Sequence, residues 1–491
     1  MATKIVIGKD VPYRVWLWRI PGNDGSIMNA HYETLRTRLE RAIGAPNVIA
    51  ASDLIDRYAR DETSDLEHAP DIVARVSSAA EAGQVLAICN ELGVPVTPRG
   101  AGTGVTGGAV PVSGGVVLSL ERMNRILEID ERNMTALVEP GVITGELQRA
   151  ARELGLMYPP DPASLDSCSI GGNVAEGAGG PRAVKYGTTK DYILGLEFVL
   201  PDGTIITTGG KFVKNATGFN LCGLITGSEG TLAVITKILL RLIPAPPITM
   251  DLLIPYDTLE AAVDDVYAII SRKISPAALE FMEEDAIRLT ARYLGEDIAF
   301  PDARAHLLVQ LDGVSAEAVR DQMAGLADCV SVPGERIIAA ESRAQSERIW
   351  KARRAIREAI TAESPVFLAE DTVVPRSEIP SFLKKVKEYL NGLGLRSVMF
   401  GHAGDGNVHI DVLRGAMDRP EWDRMLPALK KNIYAIALAH GGTITGEHGI
   451  GYTRRDYLDL ALGEEQVALL KRIKAAFDPR GILNPQKIFG D

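Results

Sequence analysis

Eleven residues with the sequence PRGAGTGVTGG, positions 98–108, contain five glycines. A β-branched run, VPVT, precedes them at residues 94–97, and a second strand candidate, VVLSL, follows at residues 116–120. Because glycine has no Cβ, successive backbone N–H groups can turn toward a ligand and form an anion-binding concavity. The pattern predicts a strand–loop–strand cradle for a phosphate or pyrophosphate, with a Gly-rich hairpin connection as the alternative.

Two common phosphate-binding motifs are excluded for this stretch. The dinucleotide fingerprint opens a helix inside a βαβ unit, whereas Pro111 and Gly114-Gly115 interrupt any helix here. A Walker loop ends in Gly-Lys-Ser/Thr, and no such triplet closes the run.

Length and composition limit the class of protein. A chain of 491 residues predicts two or three domains, and 46% hydrophobic with 24% charged residues is typical of a soluble globular protein. The net charge of −11 argues against nucleic acid as a partner. We expect no membrane span, because no run of 18 apolar residues occurs, and no signal peptide.

The four cysteines lie far apart, at positions 89, 168, 222 and 329. No CxxC pair is present, which argues against a zinc ribbon and against ligands for an iron–sulfur cluster. This usage favours a reducing cytoplasm.

Changes in sequence pattern predict the domain organisation. The run PAPP at residues 244–247 is the clearest boundary. Beyond it, strands alternate with amphipathic helices, which predicts an open sheet with helices on one face. The expected segments are an N-terminal segment 1–65, an α+β domain 66–245, a second α+β domain 246–450 and a C-terminal segment 451–491.

Four local expectations depend on propensity alone. Residues 159–180 are so rich in Pro, Gly and Ser that we expect a long binding loop, with an interdomain linker as the alternative. Thr144 is expected to cap a helix, and residues 343–360 are expected to form one helix. Residues 13–18, YRVWLW, are strand-like.

Two Gly-framed motifs carry three of the seven histidines. GHAGDGNVH at residues 401–409 places His402 and His409 across a turn, and TGEHGIG at residues 445–451 adds Glu447. Two His and one carboxylate are a usual open ligand set for zinc or manganese. The alternative is that each His bonds a local backbone group, the role we assign to His68, His306 and His440.

Taken together, the cradle, the second Gly-rich stretch, both histidine motifs and the ending FDPRGILNPQKIF (477–489) resemble the vanillyl-alcohol oxidase/p-cresol methylhydroxylase flavoproteins. Within them they resemble the D-2-hydroxyacid dehydrogenases, a branch with D-lactate dehydrogenases, D-2-hydroxyglutarate dehydrogenase and the glycolate oxidase flavin subunit. The resemblance covers roughly residues 70–490. It implies a PCMH-type FAD-binding domain and a substrate-binding cap domain, both α+β.

The resemblance assigns a set of residues to the flavin, with the C-terminal segment packed back on it. They are Pro98, Arg99, Gly100, Ala101, Gly102, Thr103, Gly104, Thr106, Gly107, Gly108, Pro160, Asp161, Cys168, Ser169, Gly171, Gly172, Asn173, Ala175, Gly179, Gly180, Tyr186, Gly230, Ile235 and Asn484. Covalent attachment in the wider family uses a His in the glycine loop. Thr103 stands in that region, so we expect non-covalent FAD.

The resemblance also assigns the reacting groups. The implied metal ligands are His402, His409 and Glu447, the implied base is His448, and the implied substrate contacts are Arg353, Arg357 and Asn407. The Arg fork suits a substrate carboxylate, although a solvated basic helix face is the alternative for these arginines.

Three positions depart from the family pattern. Gly177 stands where relatives often have Asn, and Asp411 stands where some relatives have Asn, which changes one polar contact near the flavin and one near the substrate. Ala369 stands where D-2-hydroxyglutarate dehydrogenases have Lys. The last difference favours a small monocarboxylate over a dicarboxylate.

We therefore expect FAD-dependent, metal-assisted oxidation of D-lactate or glycolate to the 2-oxo acid. Electrons would pass to a separate acceptor: an electron-transferring flavoprotein, an iron–sulfur subunit, a cytochrome or a quinone. The expected location is the cytoplasm, with membrane association only through a partner, and a homodimer is left open. The alternatives are a D-2-hydroxyglutarate dehydrogenase, a colourless metal-dependent hydrolase, or a flavin subunit that is inactive alone.

Overall fold

The structure is a computed structural model that describes residues 25–50, 55–295 and 298–490, so the strand expected at residues 13–18 lies outside the described residues. The helices are α1 (Gly25–Ile43), α2 (Ala79–Leu92), α3 (Thr144–Glu153), α4 (Ile170–Glu176), α5 (Ala183–Tyr186), α6 (Leu221–Ile225), α7 (Leu259–Ser271), α8 (Glu284–Leu294), α9 (Ala316–Ala327), α10 (Arg343–Arg354), α11 (Ile356–Glu363), α12 (Ile379–Gly392), α13 (Arg419–Ala439), α14 (Leu458–Leu462) and α15 (Glu464–Phe477). The strands are β1 (Val48–Ala50), β2 (Ile72–Arg75), β3 (Val96–Arg99), β4 (Val116–Ser119), β5 (Ile126–Asp130), β6 (Thr135–Val138), β7 (Leu156–Met157), β8 (Ile193–Val199), β9 (Ile205–Gly209), β10 (Val234–Arg241), β11 (Ile243–Pro244), β12 (Ile248–Tyr256), β13 (Ala278–Glu283), β14 (Ala305–Gly313), β15 (Ile338–Ala339), β16 (Phe367–Val373), β17 (Arg396–His402) and β18 (Asn407–Leu413).

The Gly-rich cradle connects two parallel strands. β3 and β4 pair in parallel within a sheet of order β1-β2-β4-β3. A parallel pair cannot be joined by a hairpin, so the chain after β3 must cross back along the sheet before β4 begins. The hairpin alternative is therefore wrong, and the glycines form a crossover without a helix.

The first domain contains a second sheet, of order β5-β6-β10-β8-β9, with antiparallel pairing throughout. β8 and β9 of this sheet form a hairpin, and α2 is capped by Ser78, which accepts from the N–H of Glu81. The described part of the N-terminal segment packs into this domain, because Leu35 and Leu39 of α1 are buried against α2 and the first sheet.

The second domain is built on one antiparallel sheet of order β15-β12-β14-β13-β17-β18-β16. Along β12, Leu252 and Ile254 join one apolar cluster with α7, α9, α12 and α13, whereas Leu253 between them joins another with α8, α10 and α11. Since side chains alternate between the faces of a strand, helices cover both faces of the sheet. The expectation of helices on one face is wrong.

Three local expectations are corrected. Residues 159–180 are not loop throughout, because Ser169 accepts a hydrogen bond from the N–H of Gly172 and begins the short helix α4. Thr144 is the first residue of α3 rather than its cap, and its hydroxyl donates to the carbonyl of Cys168. The helix expected at residues 343–360 is divided at Ala355 into α10 and α11.

The C-terminal tail adds a short parallel pairing to the first sheet. Leu483 lies opposite Val96 of β3, where the Val96 N–H donates to the Ile482 carbonyl (2.8 Å) and the Asn484 N–H donates to the Val96 carbonyl (2.7 Å). The tail is thereby fixed beside the cradle. Among the helices that the structure describes, none is long and apolar enough to span a bilayer.

Candidate active site

Cross-strand register collects polar side chains on one face of the second sheet. Glu280 of β13 is paired with His402 of β17, and Asp371 of β16 is paired with His409 of β18. Paired residues point to the same face, which here is the face covered by α8, α10 and α11. All four residues are buried.

The three expected metal ligands meet at this face. Glu447 Oε1 lies 3.3 Å from His402 Nε2 and 3.6 Å from His409 Nε2. One ligand atom from each of the three residues lies within 4.8 Å of the others. Two imidazole nitrogens and a carboxylate oxygen in this arrangement fit a zinc or manganese ion with positions left for substrate.

Glu280 was not anticipated, and it orients the first of these ligands. His402 Nδ1 donates to Glu280 Oε1 at 2.6 Å, which leaves Nε2 facing Glu447. A carboxylate behind a ligating His is the usual way to fix its tautomer. Burial lowers the pKa of His402, but Glu280 and Glu447 outweigh this and raise it well above its usual value.

Asp371 was also missed, and it organises the loop that carries Glu447. Its Oδ2 accepts from the Thr445 hydroxyl (3.0 Å) and from the backbone N–H groups of residues 446–448 (2.9, 3.0 and 3.0 Å). Burial would raise the pKa of Asp371, but the charge of a protonated His448 or His409, the charge of Arg454 and the hydrogen bond from Asn407 hold it well below its usual range. An acidic residue inside an apolar strand was the only sequence signal for either Glu280 or Asp371.

Asn407 does not line the cavity that His402, His409 and His448 face. Its side-chain amide donates to Asp371 Oδ1 (2.6 Å) and to the Thr372 carbonyl (3.0 Å). Asn407 therefore supports Asp371 through this hydrogen bond and does not make the expected substrate contact.

His448 faces the cavity beside the metal-ligand candidates. Its ring stacks on His409 at a centroid distance of 5.4 Å and an angle of 19°. Its Nδ1 has no hydrogen-bond partner among the described residues, and Asp371 Oδ2 is 3.7 Å away. Burial lowers the pKa of His448 although Asp371 and Glu447 oppose the shift. A neutral imidazole in this position can accept a proton.

Both expected arginines line the same cavity, whose volume is about 270 Å³. Arg353 is buried and its Nη2 lies 2.8 Å from Glu280 Oε2. Arg357 is 37% exposed and its Nη1 donates to Asp411 Oδ1 at 3.0 Å. Burial raises the pKa of Asp411 to about 6 although Arg357 opposes the shift.

The cradle fits a phosphate group. Among the described residues, nothing accepts a hydrogen bond from the backbone N–H groups of Gly102, Thr103 or Gly104. Several other expected flavin residues are engaged within the protein: Asn173 donates to Thr144, Tyr186 donates to Asp312, and Ile235 lies in the core.

The second Gly-rich stretch, residues 159–180, brings the expected flavin-binding residues next to the metal-ligand candidates. A Cβ on Gly179 would lie 2.7 Å from Glu447 Oε2. Asp161 and Gly180 line the cavity together with His402 and His448. Residues of the first domain thus reach the ligand set of the second.

Comparison with known proteins identifies the family. Residues 70–209 match the family model described as FAD binding domain, and residues 246–488 match the model described as FAD linked oxidases, C-terminal domain. The chain belongs to the FAD-linked oxidases. Membership confirms the oxidoreductase class that the motifs indicated, in place of the hydrolase alternative.

Curated relatives of this FAD-linked oxidase differ in substrate. It is 41% identical over 433 residues to glycolate oxidase subunit GlcD of Bacillus subtilis, covering 88% of this chain and 92% of the relative. It is 38% identical to D-lactate dehydrogenase of Anaerostipes hadrus (91% and 96% covered) and 31% identical to D-2-hydroxyglutarate dehydrogenase of Stutzerimonas stutzeri (92% and 98%).

Solved structures confirm the expected PCMH-type fold. The chain superimposes on p-cresol methylhydroxylase with a TM-score of 0.75 at 21% identity, covering 94% of this chain and 97% of that one. It superimposes on 4-ethylphenol oxidase from Gulosibacter chungangensis with a TM-score of 0.77 at 20% identity, covering 96% and 98%.

Proposed function

We propose that this FAD-linked oxidase converts a small D-2-hydroxy acid, D-lactate or glycolate, to its 2-oxo acid with a divalent zinc or manganese ion. The observation that carries the proposal is the meeting of His402, His409 and Glu447 beside His448 and against Gly179 of the flavin-binding stretch. This cluster brings together a candidate site for a Lewis-acid metal, a neutral base in His448, and a flavin-binding segment.

The protein groups divide the work of the reaction. His448 takes the proton of the substrate hydroxyl while the C2–O bond becomes a carbonyl. Arg353 orients the substrate carboxylate through guanidinium N–H groups that Glu280 does not use. FAD held by the cradle would supply the acceptor for the hydride of C2, and a metal held by His402, His409 and Glu447 would supply a Lewis acid for the hydroxyl oxygen. The hydrogen bonds to Asp371 Oδ2 hold the loop of residues 445–448, and with it Glu447 and His448, in position during the reaction.

The charges around Arg357 favour a monocarboxylate. Asp411 already compensates the charge of Arg357, and the cross-strand neighbour of Asp411 is Ala369, which offers no cation. A second substrate carboxylate beside Arg357 would lie next to the buried carboxylate of Asp411, which already pairs with that cation. D-2-Hydroxyglutarate is therefore the weaker candidate, although a relative carries that name.

The flavin is held without a covalent bond, because the cradle contains no His. Electrons from the flavin would leave to a separate acceptor, since the four scattered cysteines do not offer a ligand set for an iron–sulfur cluster. The same cysteine usage favours a cytoplasmic location.

The test is the visible spectrum of the purified protein before and after anaerobic addition of D-lactate, glycolate or D-2-hydroxyglutarate. We expect a yellow protein that D-lactate or glycolate bleaches, and acid precipitation should leave the colour in the supernatant. Colour in the pellet would contradict non-covalent binding. A yellow protein that none of the three bleaches would instead be a flavin subunit inactive alone.

A further inference from the structure

We propose that Glu280 is a positioning residue that couples metal binding to binding of the substrate carboxylate. The inference rests on the proposed function and extends it to a residue outside the expected ligand set. Glu280 is fully buried, and its two oxygens serve two different parts of the site. Oε1 accepts from His402 Nδ1 at 2.6 Å, and Oε2 forms an ion pair with Arg353 Nη2 at 2.8 Å.

The two partners of Glu280 face different ligands. His402 presents Nε2 toward Glu447 and His409, where a cation would lie. Arg353 lines the cavity with its guanidinium over the ring of Phe400 at 4.8 Å, and its ion pair with Glu280 is made through Nη2. Its guanidinium therefore has donors left for a substrate anion.

A single carboxylate charge is thus shared between a metal ligand and a substrate anchor. When a cation binds His402 Nε2, the Nδ1–H becomes a stronger donor and draws the charge of Glu280 toward Oε1. Oε2 then compensates Arg353 less, and Arg353 becomes a better partner for an anion. By thermodynamic reciprocity, an anion on Arg353 must tighten cation binding by the same factor.

Sequence distance gives no hint of this coupling, because Glu280 and His402 are 122 residues apart. The strand register makes the contact, since Glu280 of β13 lies directly opposite His402 of β17. Glu283 lies three residues further along β13 and is also buried, but it accepts from Lys387 Nζ and the Met399 N–H instead. Glu283→Gln is therefore a matched control for loss of a buried carboxylate on the same strand.

The experiment measures Zn²⁺ affinity of the flavin-loaded, chelator-treated enzyme by competition with a fluorescent zinc indicator. Titrations are made with and without saturating 2-methylpropanoate, which has the carboxylate of a substrate but no hydroxyl to bind metal or be oxidised. In the wild type we expect the anion to tighten Zn²⁺ about fivefold or more, within the usual range of coupling between sites.

Glu280→Gln should weaken Zn²⁺ about 10–100-fold, as loss of such an outer carboxylate does, and should abolish the effect of 2-methylpropanoate. Glu283→Gln should keep both the affinity and the coupling. Since Glu280→Gln leaves Arg353 buried and could prevent folding, Arg353→Gln is the second variant, expected to keep Zn²⁺ affinity within a fewfold of wild type and to lose the coupling. The flavin spectrum and thermal midpoint report folding in each case.

Full coupling in either Glu280→Gln or Arg353→Gln would overturn the proposal, and so would its absence in the wild type. These outcomes are distinct from failure of the proposed function. If D-lactate bleaches the flavin and Zn²⁺ binds without coupling, only the role of Glu280 is wrong. If Zn²⁺ does not bind the wild type at all, the metal part of the proposed function is wrong as well.

Discussion

His448 and His402 lie in one cluster but contact different groups, so their substitutions are expected to separate chemistry from metal binding. His448→Ala should keep flavin and metal and slow flavin bleaching about 10²–10⁴-fold, the usual contribution of a positioned proton acceptor. His402→Ala should keep flavin but lose metal, and activity with it. The measurement pairs metal analysis with single-turnover bleaching, which does not need the acceptor.

Two results would contradict these assignments. Normal bleaching in His448→Ala would remove His448 as the base. Loss of metal in that variant would make His448 a ligand, together with Asp371 and His409, which also lie close enough to hold an ion.

Substrate choice is also argued at the scale of a few side chains. Because Asp411 compensates Arg357 and Ala369 adds no cation, kcat/KM should be higher for D-lactate or glycolate than for D-2-hydroxyglutarate. The measurement compares kcat/KM for the three acids at one pH and salt concentration. A tenfold preference for D-2-hydroxyglutarate, ~1.4 kcal/mol of transition-state binding, would contradict the argument.

Individual ligands could be predicted from the sequence, but their supporting carboxylates could not. His402, His409 and Glu447 lie in two Gly-framed motifs that are visible in the sequence. Glu280 and Asp371 stand inside strands and act only through register and long-range contacts, and Asp371 bonds backbone groups 75–77 residues away.

At the scale of elements, the sequence pattern beyond residue 247 indicates alternating strands and helices but not the way they pack. The boundary between β13 and α8 has no sequence signal, because residues 278–294 form a strand that passes directly into a helix with no Gly or Pro between them. The helices on the second face of the sheet were missed for a related reason. A strand buried on both faces has no polar alternation to show that both are covered.

The C-terminal tail supports the cradle through one side chain. Asn484 Nδ2 donates to the carbonyls of Gly108 (3.0 Å) and Glu229 (2.8 Å), and Asn484 has a φ of 44°. Asn484→Gly keeps the backbone conformation accessible but leaves two buried acceptors unpaired. We expect it to lower the free energy of unfolding by about 1–3 kcal/mol and to weaken FAD binding.

The measurement is the temperature at which flavin fluorescence appears, recorded with and without added FAD. Arg480→Ala is the control, because Arg480 is an exposed residue of the same tail with no partner among the described residues. If Asn484→Gly released flavin at the same temperature as Arg480→Ala, the tail would not support the cradle.

At the scale of the whole molecule, the charge around the cavity opposes that of the chain. The chain carries a net charge of −11, yet the described residues that line the cavity include five arginines and two acidic residues. Three of these arginines are paired with Asp161, Glu280 or Asp411. Arg152 of the first domain and Arg354 of the second are exposed and have no ion-pair partner among the described residues. Two unpaired cations from opposite domains can attract an anion toward a cavity in an otherwise acidic protein.

Attraction of this kind acts on substrate capture and is screened by salt, since the Debye length falls from about 10 Å at 0.1 M to about 3 Å at 1 M. Arg152→Gln and Arg354→Gln should each lower kcat/KM for D-lactate severalfold at low salt, with little change in kcat, and the double variant should lower it further. These differences should shrink as sodium chloride is raised to 1 M.

Arg343→Gln makes the same charge change on an exposed turn of α10 outside the cavity lining and should behave like the wild type. Losses of kcat/KM that persisted at 1 M salt would mean that these arginines touch the substrate, and no loss at low salt would mean that the net charge of the chain outweighs them.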